Sequence, residues 1–194
     1  VVHSGQDMVL ESPVSMTLSD GTVYGGPAKV KKISVKKVDA TIPSPVYKKS
    51  SVRDNYYELT IHFRGDFNLV FRAYDDGVAY RFVSLSPKPF EVASEQAVFN
   101  FPEGSKAWIP YVKRGKTLED QKFTSFENWY EYIPLSGWDK ERLAFMPLLV
   151  DAAGGKKVCI TEADLLDYPG MFLYNGDGGY SVAGVFAEYP KEVE

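Results

Sequence analysis

Apolar and polar residues alternate with period two along much of this chain, most regularly between Tyr57 and Phe82. Leu59, Ile61 and Phe63 are separated by polar or amphipathic neighbours; Phe67, Leu69, Phe71 and Ala73 follow, then Val78, Tyr80 and Phe82. Successive side chains of a strand point to opposite faces, so this spacing gives each of three segments one apolar face. Arg64-Gly65-Asp66 and Asp75-Asp76-Gly77 stand where the alternation breaks. Asp-Gly accepts the positive φ that tight hairpins demand. The stretch predicts a three-stranded antiparallel meander.

Weaker versions of the pattern flank it. Met16 to Leu18 reads as a short strand ended by Asp20-Gly21, and Ile33 to Val38 as another. Lys29, Lys31, Lys32, Lys36 and Lys37 surround that second strand. They read either as a basic patch for an acidic ligand or as a protected edge strand, and the edge is favoured because lysine commonly blunts sheet edges. Pro43 and Pro45 mark an extended connection. Glu91-Val92 and Ala97 to Phe101 continue the strand pattern, Lys113 to Lys122 reads as a charged loop, and Leu143 to Val150 and Lys157 to Thr161 read as strands around Ala152-Ala153-Gly154-Gly155. Tyr180 to Phe186 is one more strand, after the turn Asn175-Gly176-Asp177-Gly178-Gly179. Glu162 to Leu166 is the one plausible helical turn, too short to organise a core.

Many strands with one-sided apolar faces must bury those faces against another sheet. The expected fold is therefore all-β, a large two-sheet antiparallel sandwich, as a single domain over 1–194. Composition agrees: aromatic residues are 14% of the chain, including 13 Tyr and 12 Phe, and 44% of residues are hydrophobic. A net charge of -4 without an Arg-rich, aromatic-interleaved stretch argues against nucleic acid as a partner. No apolar run has the length of a membrane span, and the N-terminus lacks a signal-peptide layout. The chain opens Val1-Val2-His3 without methionine, which suggests a processed or excised piece. Cys159, the single cysteine, sits between Val158 and Ile160 and is expected to be a buried small hydrophobe.

No complete catalytic constellation stands out. His3 and His62 are the two histidines, and His62 lies in a strand without a nucleophile in view, so it reads as solvent-facing or sheet-packing. Nucleophile-elbow, zinc-helix and phosphate-loop motifs are missing. Carboxylates remain. Glu127 and Glu131 flank Trp129 and Tyr130 in Phe126-Glu127-Asn128-Trp129-Tyr130-Glu131-Tyr132. This segment reads as a sugar-stacking platform with hydrogen-bonding acids, or as an aromatic strand pinned under a loop; the structural reading is favoured. Glu162, Asp164 and Asp167 form a second cluster, where the hydrophobic strand ends abruptly in acids. A strand-tip carboxylate suits a hard cation such as calcium, although six to eight oxygens are usual. On spacing alone, helix capping by Thr161 with Glu162 and Asp164 in the first turn is preferred.

Three segments carry a resemblance. Tyr57 to Thr60 through Phe71-Arg72-Ala73-Tyr74-Asp75-Asp76-Gly77-Val78-Ala79-Tyr80-Arg81-Phe82, then Ile160-Thr161-Glu162-Ala163-Asp164-Leu165, then Ala187-Glu188-Tyr189-Pro190 occur in the order seen in glycoside hydrolase family 97. The chain resembles part of that family's N-terminal domain. The resemblance implies a galactose mutarotase-like super-sandwich preceding a catalytic (β/α)8 barrel, with further strands before Val1 and after Glu194. It implies an exo-acting, calcium-dependent α-glucosidase or α-galactosidase, secreted or periplasmic, acting on oligo- or disaccharides. Its catalytic carboxylates lie on the barrel, so none is expected in this chain, and Glu162 matches the position that lends a glutamate to the calcium shell. The alternative is an autonomous carbohydrate-binding module that uses Trp129, Trp108 or Trp138 as a stacking platform, with Glu127 beside it.

Overall fold

The structure, a computed structural model, describes residues 1–26, 28–44, 48–152, 154–166 and 168–188. Pro45, Ala153, Asp167, Tyr189 and Pro190, which figure in the sequence reading, lie outside the described residues. Its strands are β1 (Val2–Ser4), β2 (Asp7–Leu10), β3 (Val14–Leu18), β4 (Val23–Tyr24), β5 (Val30–Pro43), β6 (Ser51–Phe63), β7 (Phe67–Ala73) and β8 (Val78–Ser84). They continue as β9 (Val92–Asn100), β10 (Lys106–Pro110), β11 (Tyr130–Pro134), β12 (Leu148–Ala152), β13 (Lys156–Ile160), β14 (Met171–Tyr174) and β15 (Ser181–Phe186). Among the described residues, one short helix, α1 (Leu118–Gln121), and a single 3-10 turn interrupt them. The all-β expectation holds, and every pairing between these strands described below is antiparallel. The chain divides into two compact units, Ser15–Ser94 and Val1–Val14 with Glu95–Glu194.

In the Ser15–Ser94 unit the predicted meander is present as β6-β7-β8, with β5 added at its edge. Phe67 and Leu69 are buried, and Phe67 stacks between Tyr24 at 4.2 Å and Phe63 at 4.6 Å. The β7-β8 turn differs from the tight form expected. Ala73 pairs with Val78 and the Tyr74 amide donates to the Gly77 carbonyl, so four residues make the loop and Gly77 needs no positive φ. Positive φ falls instead on Gly65, at 144°. β5 outgrows its predicted span to 14 residues, carries four of the five lysines, and keeps register with β6 from Lys32↔His62 to Pro43↔Ser51. Asp39 and Arg53 bind there through two hydrogen bonds of 3.0 and 2.9 Å.

Charge is buried once in this sheet. Lys36, Glu58 and Arg72 stand directly opposite one another on three adjacent strands. The Glu58 carboxylate, only 11% exposed, takes Lys36 Nζ at 2.8 Å and Arg72 Nε at 3.0 Å. Cross-strand opposition makes this pairing without bending either neighbour.

The other unit contains a two-sheet sandwich. One sheet runs β11-β10-β12-β13, and β14-β15-β9 lie together in the other. Inward residues of the first, Ala107, Ile109, Leu148, Val150 and Ile160, share one core with Ala97, Phe99, Leu173 and Val182 of the second. The predicted strand over Leu143–Val150 is shortened to Leu148–Ala152, because Pro147 has no N–H to donate to a ladder; Ala144 makes only isolated bridges to Tyr111 and Leu173. The expected Asn175–Gly179 turn is organised by buried Asn175, whose Nδ2 donates to Leu135 and Gly179 carbonyls and whose Oδ1 accepts the Gly178 amide. Gly178 has φ of 73°, and a Cβ there would come within 2.8 Å of Lys140 Cε. β11 realises the favoured strand reading of the aromatic segment from Tyr130 onward, whereas β10 and β14 were not foreseen.

Two expectations fail here. The Lys113–Lys122 segment is not wholly loop, since Thr117 and Asp120 form a reciprocal capping box around α1. Gln121 then anchors it, donating to the Glu141 carbonyl at 2.7 Å and accepting the Leu143 amide at 2.9 Å. Cys159 is exposed rather than buried. Alternation explains the error: Val158 and Ile160 face the core, so the residue between them faces out with Lys157.

Lys36 first, and Arg72 after it, hold the Glu58 carboxyl below the ordinary glutamate range against the opposing effect of burial. A depressed carboxyl stabilises the fold above its unfolded pKa and stops doing so as pH falls through its folded value. Glu58→Gln should therefore lose about 1–2 kcal/mol at pH 7. Urea unfolding at several pH values should show that difference shrinking below about pH 4. Cys159 should react fully with a thiol reagent in the native protein, without denaturant.

Candidate functional site

β13 carries the chain to buried Ile160 and then releases it outward. Thr161 is exposed and caps no helix, because residues 161–166 form none. Asp164 takes φ of 64°, and the Leu166 amide donates to the Asp164 carbonyl at 2.9 Å, a tight turn incompatible with a helical one. The capping expectation is thereby overturned. Glu162 does a different job: both its oxygens accept the Met171 amide, at 3.0 and 3.1 Å, closing the connection from β13 to β14. The strand-tip carboxylate is in place, while Asp167 lies outside the described residues.

A second carboxylate, missed in the sequence, stands near it. Glu95 on β9 is half-buried and accepts the Tyr168 hydroxyl at 2.6 Å. Burial pushes the Glu162 carboxyl up, and the Glu95 charge pushes it further, against the pull of the Met171 amide. Glu95 is likewise raised by burial, and Tyr168 draws it partly back. A signal for it existed: Glu95 is in phase with Ala97 and Phe99, an acid on the buried face of its strand.

A carboxylate at a strand end is the kind of oxygen donor that a hard cation takes. A carboxylate has about four lone-pair positions, so the Met171 amide leaves Glu162 free to bind further. Calcium commonly takes about 6–8 oxygens. Among the described residues no group of three or more His, Cys, Asp or Glu gathers to hold a metal.

The aromatic segment leads to the same end of the sheet. Tyr130 at the start of β11 faces Pro110, and Ile160 at the end of β13 faces Leu148. In the order β11-β10-β12-β13, the two positions lie at one end on opposite outer strands, three spacings or about 14 Å apart. Phe126, half exposed, contacts the rings of Phe145 and Phe172, and Asn128 Nδ2 donates to the Tyr111 carbonyl at 3.0 Å. Between these anchors and β11, Trp129 stands 89% exposed, and Glu127 is exposed beside it. The other tryptophans differ. Trp138 is buried in the core with its Nε1 donating to the Arg142 carbonyl, and Trp108 stacks on Tyr132 at 4.3 Å beneath Lys157.

Residues 1–190 match the family described as glycosyl-hydrolase 97 N-terminal. The chain belongs to glycoside hydrolase family 97. It is 48% identical over 193 residues to a retaining alpha-galactosidase of Bacteroides thetaiotaomicron, a match covering 98% of this chain and 29% of that enzyme. Among solved structures, a family 97 enzyme from Pseudoalteromonas sp. in complex with acarbose superposes with TM-score 0.74 at 22% identity, over 93% of this chain and 27% of that one. A beta-arabinopyranosidase superposes with TM-score 0.78 at 24% identity, over 93% and 30%. The chain thus shares its antiparallel β fold with family 97 structures and spans less than a third of each relative's length. Among the described residues, no helix is long and apolar enough to cross a membrane.

Removing an exposed ring and a buried one should separate surface from core. Trp129→Ala should change unfolding free energy by no more than about 0.5 kcal/mol. Trp138→Ala should cost about 3–5 kcal/mol, both read from guanidinium denaturation followed by circular dichroism.

Proposed function

We propose that this chain is the non-catalytic N-terminal sandwich of a calcium-dependent, exo-acting α-galactosidase. In this reading it supports a catalytic (β/α)8 barrel of the same parent chain and lends Glu162 to the calcium site. The observation that carries it is the Glu162 carboxylate, half-buried at a strand end and oriented by the Met171 amide. Burial and the neighbouring Glu95 charge both oppose its ionisation, so an added positive charge would favour the carboxylate form. Such a pair of raised carboxylates is stabilised when a cation joins it. The 48% identity to a retaining alpha-galactosidase supports galactosides over glucosides as substrates.

Calcium held by Glu162 and by donors of the barrel would polarise oxygens of the bound sugar as a Lewis acid. Within this chain, Met171 fixes the carboxylate's rotamer, and buried Ile160 fixes the strand end from which it projects. The acid, base or nucleophile of glycoside hydrolysis belongs to the barrel in this reading. A secreted or periplasmic location belongs to the same proposal and rests on the family resemblance.

Trp129 favours a second reading. An indole 89% exposed at the same sheet end offers both faces to a sugar ring, with Glu127 as a hydrogen-bonding neighbour. It would serve an autonomous carbohydrate-binding module.

In the complete enzyme, Glu162→Gln should weaken calcium binding at least tenfold and depress release of galactose from melibiose. Unchanged calcium affinity and activity would refute the metal role. Isothermal titration of this chain with maltose and melibiose should show no binding if it is a scaffold. Binding abolished by Trp129→Ala would establish the module instead.

A further inference from the structure

A cavity opens at the tip of the β7-β8 hairpin, within the Ser15–Ser94 unit, among residues that the proposed function does not use. Arg53, Asn55, Tyr74, Asp75 and Asp76 line it, and its volume is about 310 Å³. That is the small end of the range for ligand sites, roughly 300–1,000 Å³. Its walls are fixed from within the chain. Asp39 grips the Arg53 guanidinium through two hydrogen bonds of 3.0 and 2.9 Å, which leaves other N–H donors of the fork free. The Tyr74 ring packs against Tyr56 at 5.1 Å, and its amide closes the hairpin on the Gly77 carbonyl. Among the described residues, the side chains of Asn55, Asp75 and Asp76 make no hydrogen bond or ion pair. Arg53, Asn55 and Tyr57 share one face of β6, since side chains two positions apart point the same way. Tyr57 is 54% exposed; Lys37 lies over its ring at 5.6 Å from β5, and its partner on β7 is only Ala73.

We infer that this cavity is a subsite for one neutral pyranose ring of a polysaccharide, with Tyr57 as the adjoining aromatic surface. Sugar hydroxyls both donate and accept, so they need acceptors and donors side by side. Asp75 and Asp76 accept, Arg53 donates, and Asn55 does both. Two carboxylates repel an anion, and the Arg53 charge opposes a bare cation. The apolar face of a sugar ring lies readily on an aromatic one, which Tyr57 supplies. That the ring is a galactosyl unit rests on the proposed α-galactosidase activity; that the cavity suits a sugar does not.

The test runs the full-length parent enzyme in native gels containing galactomannan, with a galactose-configured iminosugar in excess to keep the catalytic centre occupied. A small open contact binds one ring with Kd of about 1 mM, too weakly for a disaccharide titration to register, whereas the gel supplies galactosyl branches at high concentration. The parent should be retarded. Asn55→Ala and Tyr57→Ala should each lower its apparent affinity about fivefold or more, with circular dichroism unchanged. Tyr57→Phe, which keeps the ring, should restore it to within about twofold. No retardation, retardation lost to the iminosugar, or retardation equal in the parent and Asn55→Ala overturns the subsite. Retardation by starch and not by galactomannan overturns the galactosyl assignment. Release of galactose from melibiose, measured separately, tests the activity itself, so the two can fail independently.

Discussion

The bond from the Met171 amide to the Glu162 carboxylate is the constraint on which the strand-end site depends. It ties the end of β13 to the beginning of β14 and uses one side chain to close a nine-residue separation. A carboxylate accepting a backbone N–H is held in one rotamer, and a charge-assisted bond of this kind resists solvent competition better than a neutral one. Ile160 supplies the other half of the constraint by burying the last residue of β13 in the sandwich core.

The two units use charge differently. Glu58 is answered on both sides by cations set opposite it across three strands, and its pKa is lowered. Glu162 and Glu95 have no such answer among the described residues, and both are raised. A fold optimised only for stability would place a cation or an apolar residue there.

Much of the fold was legible from alternation. The β6-β7-β8 meander, the lysine-bearing edge and the turns at Asp20-Gly21 and Asn175–Gly179 follow from residue spacing. What spacing obscured were the four-residue β14 and capping-box helix α1, too short for a period to show, and β10, which runs straight into Pro110. The Cys159 error has the same origin read the other way: three apolar residues in a row suggested a wholly buried strand, whereas this strand is buried on one face only. The site was legible in part. Glu162 stood out as an acid ending a hydrophobic strand, but its neighbour in the sequence suggested a cap, and Glu95 lies 67 positions away.

By itself, then, the sequence determined the all-β class, the meander and its turns, and the position of a carboxylate after Ile160, because these depend on local periodicity and turn chemistry. Only the tertiary structure decided which of three tryptophans is exposed, that the Glu95 charge acts on Glu162, and that Trp129 and Glu162 leave the sheet at one end. Those facts depend on strand order and register, where residues distant in the chain are brought side by side by the burial of a shared core.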